Sequence, residues 1–341
     1  MSSAAPAATH GNPHDPVPGA ATRAGSRVGG PGTDDREGSG LIRIHDEVAD
    51  ALADRRPVVA LESTIFSEFG LPPPVNRECL EACVVAVRAG GAVPALTVVL
   101  AGEARVGLDE VDWERVLIAD RKLGARDIPV AVAGGWPSGA TTVSGALSLA
   151  AAAGIAVFAT GGIGGVHRDV AETGDVSADL PAIARHPVTT VTAGAKAFLD
   201  LPRTIEYLET LGVPVLGLQT DEFPAFYSRS SGVPVPHRVE TPAEAAAVVR
   251  AARDLGHTGG LVLAVPVPEE AALPREALDA AIEAGLAEAH AAEVRGAAVT
   301  PFILGRLVDA TGGNTLEVNV ALAVNNARVA AELAGALAEA E

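Results

Sequence analysis

The sequence is poor in lysine. Its 341 residues hold two, Lys122 and Lys196, against twenty-three arginines. Cysteine is as scarce, with only Cys79 and Cys83. Four apart on an expected helix, they share a face but fall short of a closed zinc site, which takes four ligands. They read as reduced packing residues of an intracellular protein. Aromatics make up 3% of the chain, so the core has to be built from Ala, Val and Leu. Positive charge is in deficit, with a formal net charge of −18. That argues against nucleic acid or an anionic membrane as the main partner, because both require a basic surface. It leaves room for a small phosphorylated ligand in a local positive pocket. No apolar run reaches 18 residues, so no transmembrane helix is expected. The first residues lack a basic segment followed by an apolar one, so no signal peptide is read and a cytoplasmic location is expected.

The 48% of apolar residues suffices for a sizeable core. Residues 1–40 are Gly-, Pro-, Ala- and Ser-rich without periodicity and are expected to form a disordered tail. One domain is expected over 41–341, opening with an amphipathic helix, LIRIHDEVADALADRR. Strands are expected at 57–61, 93–100, 128–133, 155–159, 188–192, 214–218 and 260–264, several of them continuous apolar runs. Helical patterns fill 76–89, 109–118, 141–153, 199–212, 242–255, 274–290, 300–311 and 316–340. This alternation predicts a single-domain α/β/α sandwich with a mainly parallel sheet. In such sheets ligands gather beyond the carboxyl ends of the strands.

The residues that follow the strands are therefore the candidates. After 57–61 comes Glu62, either a site acid/base or an ion-paired structural carboxylate. After 155–159 comes TGGIGGVHRD, 160–169, whose glycines permit an anion nest or simply a tight turn. It matches neither GxGxxG nor a Walker loop. His167 by itself reads as a structural histidine. Asp175 and Asp179 follow, four apart; carboxylates near a histidine suit a hard divalent cation, while a helix N-cap at Asp179 is the competing reading. After 188–192 comes Lys196, among Ala and Gly. Arginine keeps its charge at any accessible pH, whereas lysine can lose its proton and form a Schiff base. In a chain that otherwise uses arginine, Lys196 reads as a chemical amine, with a structural ion pair as the alternative.

Several long segments carry a resemblance. ALEST (60–64), GATTV (139–143), FATGGIGGVHR (158–168), DVSADL (175–180), VTAGAKAFLD (191–200), YLETLGVPV (207–215), TDEFPAFYSRSSG (220–232) and the run from Thr300 to Ala327 together resemble the pseudouridine-5′-phosphate glycosidase, or indigoidine synthase A-like, family. The resemblance spans roughly 42–338. It implies an enzyme that reversibly splits pseudouridine 5′-phosphate into uracil and ribose 5-phosphate with Mn²⁺ or a similar ion, as a homotrimer. By motif, Glu62 matches the proton donor, Lys196 the Schiff-base nucleophile and Asp175 the metal ligand. Ser177, Ala178 and Asp179 match a substrate-binding segment, and Val143, with Thr142 before it, a substrate contact. Lys122 in RKLGARD sits where the family places a substrate-binding lysine, and His167 and Asn319 align with polar pocket residues.

Cleaving the carbon–carbon bond from ribose C1′ to uracil C5 explains why an amine is implied. Paired carboxylates serve a leaving oxygen or nitrogen, whereas a lysine can act as electron sink for a leaving carbon. Two segments depart from the family pattern, Trp136-Pro137 and Val265-Pro266-Val267-Pro268. They keep open the alternative of a C-glycoside-forming enzyme that joins ribose 5-phosphate to another carbon nucleophile in secondary metabolism. A non-catalytic ribose-phosphate sensor is a third reading, disfavoured because Glu62 and Lys196 are both present.

Overall fold

The computed structural model describes residues 42–294 and 299–339; the tail expected over 1–40 lies outside them. Eleven strands form one sheet among the described residues: β1 (Ile42–Ile44), β2 (Val58–Leu61), β3 (Val93–Leu100), β4 (Glu103–Val106), β5 (Lys122–Leu123), β6 (Ser138–Thr141), β7 (Val157–Ala159), β8 (Thr189–Thr192), β9 (Val215–Leu218), β10 (His237–Val239) and β11 (Val262–Ala264). Their order is β1-β4-β3-β2-β7-β8-β11-β9-β10, with β6 on β3 and β5 on β6. Pairing is parallel except where β3 meets β4 and β6. Every residue of β2, β7, β8, β9 and β11 is buried, so both faces of the central sheet are covered. The expected α/β architecture with a mainly parallel sheet is the one observed.

The helix Asn314–Ala338 lies across β2, β7 and β8 and packs against Val75–Ala89 and Pro242–Asp254. Its buried residues include Val318, Leu322, Val329 and Leu333 at helical spacing, and Asn319 and Asn326 are buried along the same helix. The helix Val143–Ala152 packs on β2, β3, β6 and β7 and is backed by Asp179–Arg185. Cys79 and Cys83 are buried in Val75–Ala89. Their mutual hydrogen bond and burial push the Cys83 thiol up, so it stays protonated, as a packing residue does.

Three local expectations are corrected. Residues 128–133 form the helix Ile128–Ala133, not a strand. Pro129 in the first turn needs no donor there, and Ile128 and Ala131, three apart, are the buried pair. The opening segment is a strand, β1, running into the helix Asp46–Ala53, not one helix; β1 pairs in parallel with β4. The third is a set of strands that had no expectation, β4, β5, β6 and β10; β6, whose SGAT sequence carries little strand propensity, forms because β3 outlasts β2. Residues Val93–Leu96 of β3 pair with β2, and the rest takes antiparallel partners, β4 and β6.

That arrangement brings two strand ends together. β6 runs back toward the end of β2 and stops at Thr141, beside Ser63 and Thr64. The Thr141 N–H donates to Ser63 Oγ at 2.8 Å, and the Thr64 N–H donates to Thr141 O at 3.0 Å. The loops leaving β2, β6, β7 and β8 consequently open onto one crevice.

Gly194, in the turn after β8, has φ +87°, and a Cβ there would sit 2.0 Å from the Pro224 carbonyl oxygen. Gly194→Ala is expected to cost roughly 2 kcal/mol or more of unfolding free energy. Urea denaturation measures this, and an unchanged midpoint would contradict the packing described.

Candidate active site

Glu62 directly follows β2, Thr160 follows β7, and Lys196 lies four residues beyond β8. The β7–β8 pairing continues past the strands as a looser ladder. The Ala193 N–H donates to Gly161 O at 3.0 Å, the Ile163 N–H to Gly194 O at 3.0 Å and the Lys196 N–H to Ile163 O at 3.1 Å. The Lys196 backbone is thereby fixed by the glycine-rich turn beside it. Glu62 is 8% exposed, and Thr160 Oγ1 donates a hydrogen bond to its Oε1. Burial raises the Glu62 carboxyl above the ordinary carboxylate value, and the charge of Lys196 and the Thr160 bond partly offset this. Asp179 adds to the rise and Lys122 opposes it, so all four charged groups lie within electrostatic reach of one another.

Lys122 stands on β5, opposite Ala140 of β6. Burial and the neighbouring Lys196 charge pull its amine down to about 8, against Asp179 and Glu62. Neither lysine has a carboxylate within 4 Å among the described residues, so the ion-pair alternative for Lys196 finds no partner there. Arginines elsewhere do pair, as Arg88 does with Glu47 and Arg105 with Asp112.

Asp179 begins the helix Asp179–Arg185 and does not cap it. Its Oδ1 accepts the Ser144 N–H at 3.0 Å and its Oδ2 the Gly164 N–H at 2.9 Å. The buried carboxylate thus ties the start of Val143–Ala152 to the glycine-rich loop. Ser177 closes the same corner: its Oγ accepts the Asp179 N–H at 3.2 Å, and a Cβ at Gly164 would come within 2.1 Å of it. Ala178 is exposed in the turn. Thr142 occupies the N-cap position of Val143–Ala152, but its side chain bonds to none of the first-turn N–H groups; it lies 3.1 Å from Ser144 Oγ instead. A helix start favours negative charge, and the Asp179 carboxylate on the Ser144 N–H takes part of that place. Thr142, Val143, Ser177 and Asp179, far apart in sequence, therefore meet at one corner.

His167 stacks obliquely near Phe198, with ring centroids 6.1 Å apart, and its Nε2 is 3.8 Å from Asp175 Oδ2. No group of three His, Cys, Asp or Glu donors gathers among the described residues. A protein-built metal shell is therefore not formed by them. Asp175, partly exposed beside His167, fits only an ion that retains most of its water, as Mg²⁺-like cations do. Asn319 is buried, and its Nδ2 donates to the Tyr227 hydroxyl at 3.3 Å. Burial pushes the Tyr227 phenol far up, so it stays neutral.

Three residues of this region went unread in the sequence. Thr160 follows a strand directly, so the carboxyl-end rule that picked out Glu62 applies to it equally. Tyr227 and Asn326 come from a distant loop and the last helix and carry no local signal. The two departing segments are placed differently. Trp136 stacks under Arg121, the neighbour of Lys122, at 4.2 Å from ring centroid to guanidinium. Val265 and Val267 are buried beyond β11, where Val267 O accepts a hydrogen bond from Arg229.

Residues 47–336 match the family model described as indigoidine synthase A like protein. A protein of Methylobacterium nodulans named pseudouridine-5′-phosphate glycosidase is 53% identical over 87% of this chain and 88% of its own length. One of the same name from Caldanaerobacter subterraneus is 51% identical over 86% and 96%. Among solved structures, the prealnumycin C-glycosynthase AlnA in complex with ribulose 5-phosphate is 40% identical with a TM-score of 0.82, over 89% of this chain and 99% of its own. An indigoidine synthase A-like protein from Thermotoga maritima is 35% identical with a TM-score of 0.79, over 90% and 100%.

With Lys122 titrating at about 8, its charge is present below that pH and lost above it. Affinity for inorganic phosphate is expected to fall as pH rises from 8 to 10, by up to about tenfold per unit. Lys122→Arg, which keeps its charge throughout, is expected to flatten that fall. Isothermal titration across the range reads both, and identical pH dependence in the two proteins would exclude Lys122 from the anion site.

Proposed function

The chain belongs to the indigoidine synthase A like family, and from that premise we propose that it acts as a pseudouridine-5′-phosphate glycosidase, splitting the carbon–carbon glycosidic bond of pseudouridine 5′-phosphate through a Schiff base on Lys196. The observation that carries this reading is the pairing of a buried, protonatable Glu62 with the amine of Lys196, which has no ion-pair partner, at neighbouring strand ends.

Burial keeps the acid form of Glu62 available to higher pH than for an exposed glutamate. That proton goes to the ribose ring oxygen and the C1′–O4′ bond opens. The Lys196 amine adds at C1′, and Glu62, now a carboxylate, takes up the proton the amine releases. Thr160 donates to that carboxylate, and the charge of Lys122, with the ammonium that forms as the neutral Lys196 amine adds, favours it. Return of the proton to uracil C5 lets the C1′–C5 bond break: its electron pair returns to the uracil ring while the nitrogen lone pair forms the C=N bond. Water then adds to the iminium and releases ribose 5-phosphate. In this reading Lys122, Ser177 and the start of Val143–Ala152 hold the phosphate beside the corner that Asp179 braces, and Asn319, oriented by Tyr227, lines the pocket with His167.

Asp175 would hold Mn²⁺ or a similar cation through one carboxylate, and the bound ion would supply positive charge to the phosphate and its water shell. Homotrimeric assembly and a cytoplasmic location belong to the same reading. A groove between Val75–Ala89 and Asn314–Ala338, lined by Leu316, Val320 and Val324, supports contact between copies. Formation of a C-glycoside from ribose 5-phosphate is the second reading, favoured by the likeness to AlnA and by the departing Trp136-Pro137 segment.

Incubation with pseudouridine 5′-phosphate and Mn²⁺ is expected to release uracil, and its absence would leave the synthetic reading. Borohydride with ribose 5-phosphate is expected to trap an adduct on Lys196 that both Lys196→Ala and Lys196→Arg abolish; an adduct surviving either change overturns the assignment. Glu62→Ala should bind substrate yet lose turnover by roughly two orders of magnitude or more. Chelation by EDTA should suppress uracil release, with recovery on added Mn²⁺, and Asp175→Asn should raise the Mn²⁺ concentration required; full activity in EDTA would remove the ion from the reading.

A further inference from the structure

The side chain of Asn326 is wholly buried in the helix Asn314–Ala338. Its Nδ2 donates to Thr160 O at 2.8 Å and to Gly161 O at 3.3 Å. Both partners are carbonyls, so only the nitrogen end of the amide can face them. Its Oδ1 then points away and has no partner among the described residues. A buried acceptor left unmet is costly, and an apolar side chain of similar volume would avoid that cost. An asparagine held at this price in the core indicates that its donor is needed at the turn after β7.

That turn is the one that aims Thr160. The Thr160 N–H donates to Val191 O at 3.0 Å, and Gly161 O also accepts from the Ala193 N–H at 3.0 Å. Strand β8 therefore grips the turn from one side and Asn326 from the other. Leu322, on the same helix, presses close to Gly161, 3.1 Å from where a Cβ would be. With its backbone clamped, Thr160 directs Oγ1 at Glu62 Oε1. We propose that Asn326 is a positioning residue for the proton transfers: it clamps the Thr160–Gly161 turn so that Thr160 holds the Glu62 carboxyl toward the reacting sugar. The inference rests on the reading of Glu62 as the group that moves the proton.

A purely structural role and a positioning role differ in what they move. Besides Thr160, the groups acting on Glu62 are Lys196, Asp179 and Lys122; Asn326 touches none of them directly in the contacts described. The Thr160 bond lowers the Glu62 pKa, so its loss moves the acid form to higher pH. The alkaline limb of kcat is the place to read this, because bound phosphate keeps Lys122 charged in the complex.

The test measures uracil release for Asn326→Leu, Thr160→Val and the double variant. Each single change is expected to lower kcat about tenfold or more with little change in KM, and to shift the alkaline limb of kcat upward. The double variant is expected to be no slower than Thr160→Val alone. Multiplying losses in the double variant, an unmoved limb or wild-type kcat in Asn326→Leu each overturn the clamp. Asn326→Ser replaces the leucine variant if circular dichroism shows that variant unfolded. Glu62→Gln, run alongside, separates the two levels: wild-type turnover there overturns the proton-transfer reading itself, whereas loss of turnover with multiplying Asn326 and Thr160 effects overturns only the clamp.

Discussion

Strand β3 has eight residues where its parallel neighbour β2 has four, and the active site is built on that difference. Pairing with β2 consumes Val93–Leu96. The projecting half has buried backbone groups that require partners, and β4 and β6 supply them from either side. An antiparallel strand must run back, so β6 ends level with β2 and delivers Thr142 and Val143 to the crevice that Glu62 enters from the other direction. Without the overhang, the anion-suited helix start and the buried acid would sit at separate ends of the sheet.

Two carboxylates and two amines share that crevice, and they are satisfied unequally. Asp179 is spoken for by two backbone N–H groups, and Glu62 accepts from Thr160. The lysines carry no ion pair among the described residues. The buried carboxylates are held by neutral donors rather than by the amines. In the proposed reaction one amine engages phosphate and the other carbon; a guanidinium could serve the first purpose but not the second, which gives a physical reason for lysine to appear here in a chain that elsewhere uses arginine.

Close approach of loops makes the crevice compact. Gly164 lies against Ser177, Gly194 against the Pro224 carbonyl and Gly162 against the Phe226 ring; a Cβ at any of the three would overlap its neighbour. Phe226 itself takes a left-handed backbone, φ +63°, and packs edge-on to Tyr227 at 4.6 Å. Phe198, Phe223, Phe226 and Tyr227 are all buried here. They pack around segments that have little side chain of their own.

The central sheet was legible because strands buried on both faces must be apolar throughout, and β2, β7, β9 and β11 announce themselves that way. Glu62 stood out as a charged group directly after such a strand, and Lys196, four residues beyond β8, stood out through the scarcity of lysine. The segment 128–133 misled because valine and isoleucine favour strands in general, while Pro129 and the three-residue spacing of its buried pair decide for helix in this setting. β6 was silent, since Ser138–Thr141 is a strand by virtue of its partners β3 and β5, which lie apart from it in sequence. Asp179 read as a helix cap and is instead a brace, because the donors to its carboxylate lie at Ser144 and Gly164, far away in the chain. What the sequence determined by itself is the α/β alternation, the core strands and the placement of Glu62 and Lys196 beyond strand ends, all of which follow from local pattern and side-chain chemistry. Tertiary structure alone decided which strand ends meet, which carboxylate is consumed by backbone donors and which distant amide holds the Thr160 turn, since those depend on strand-length mismatch and contacts between segments that share no sequence neighbourhood.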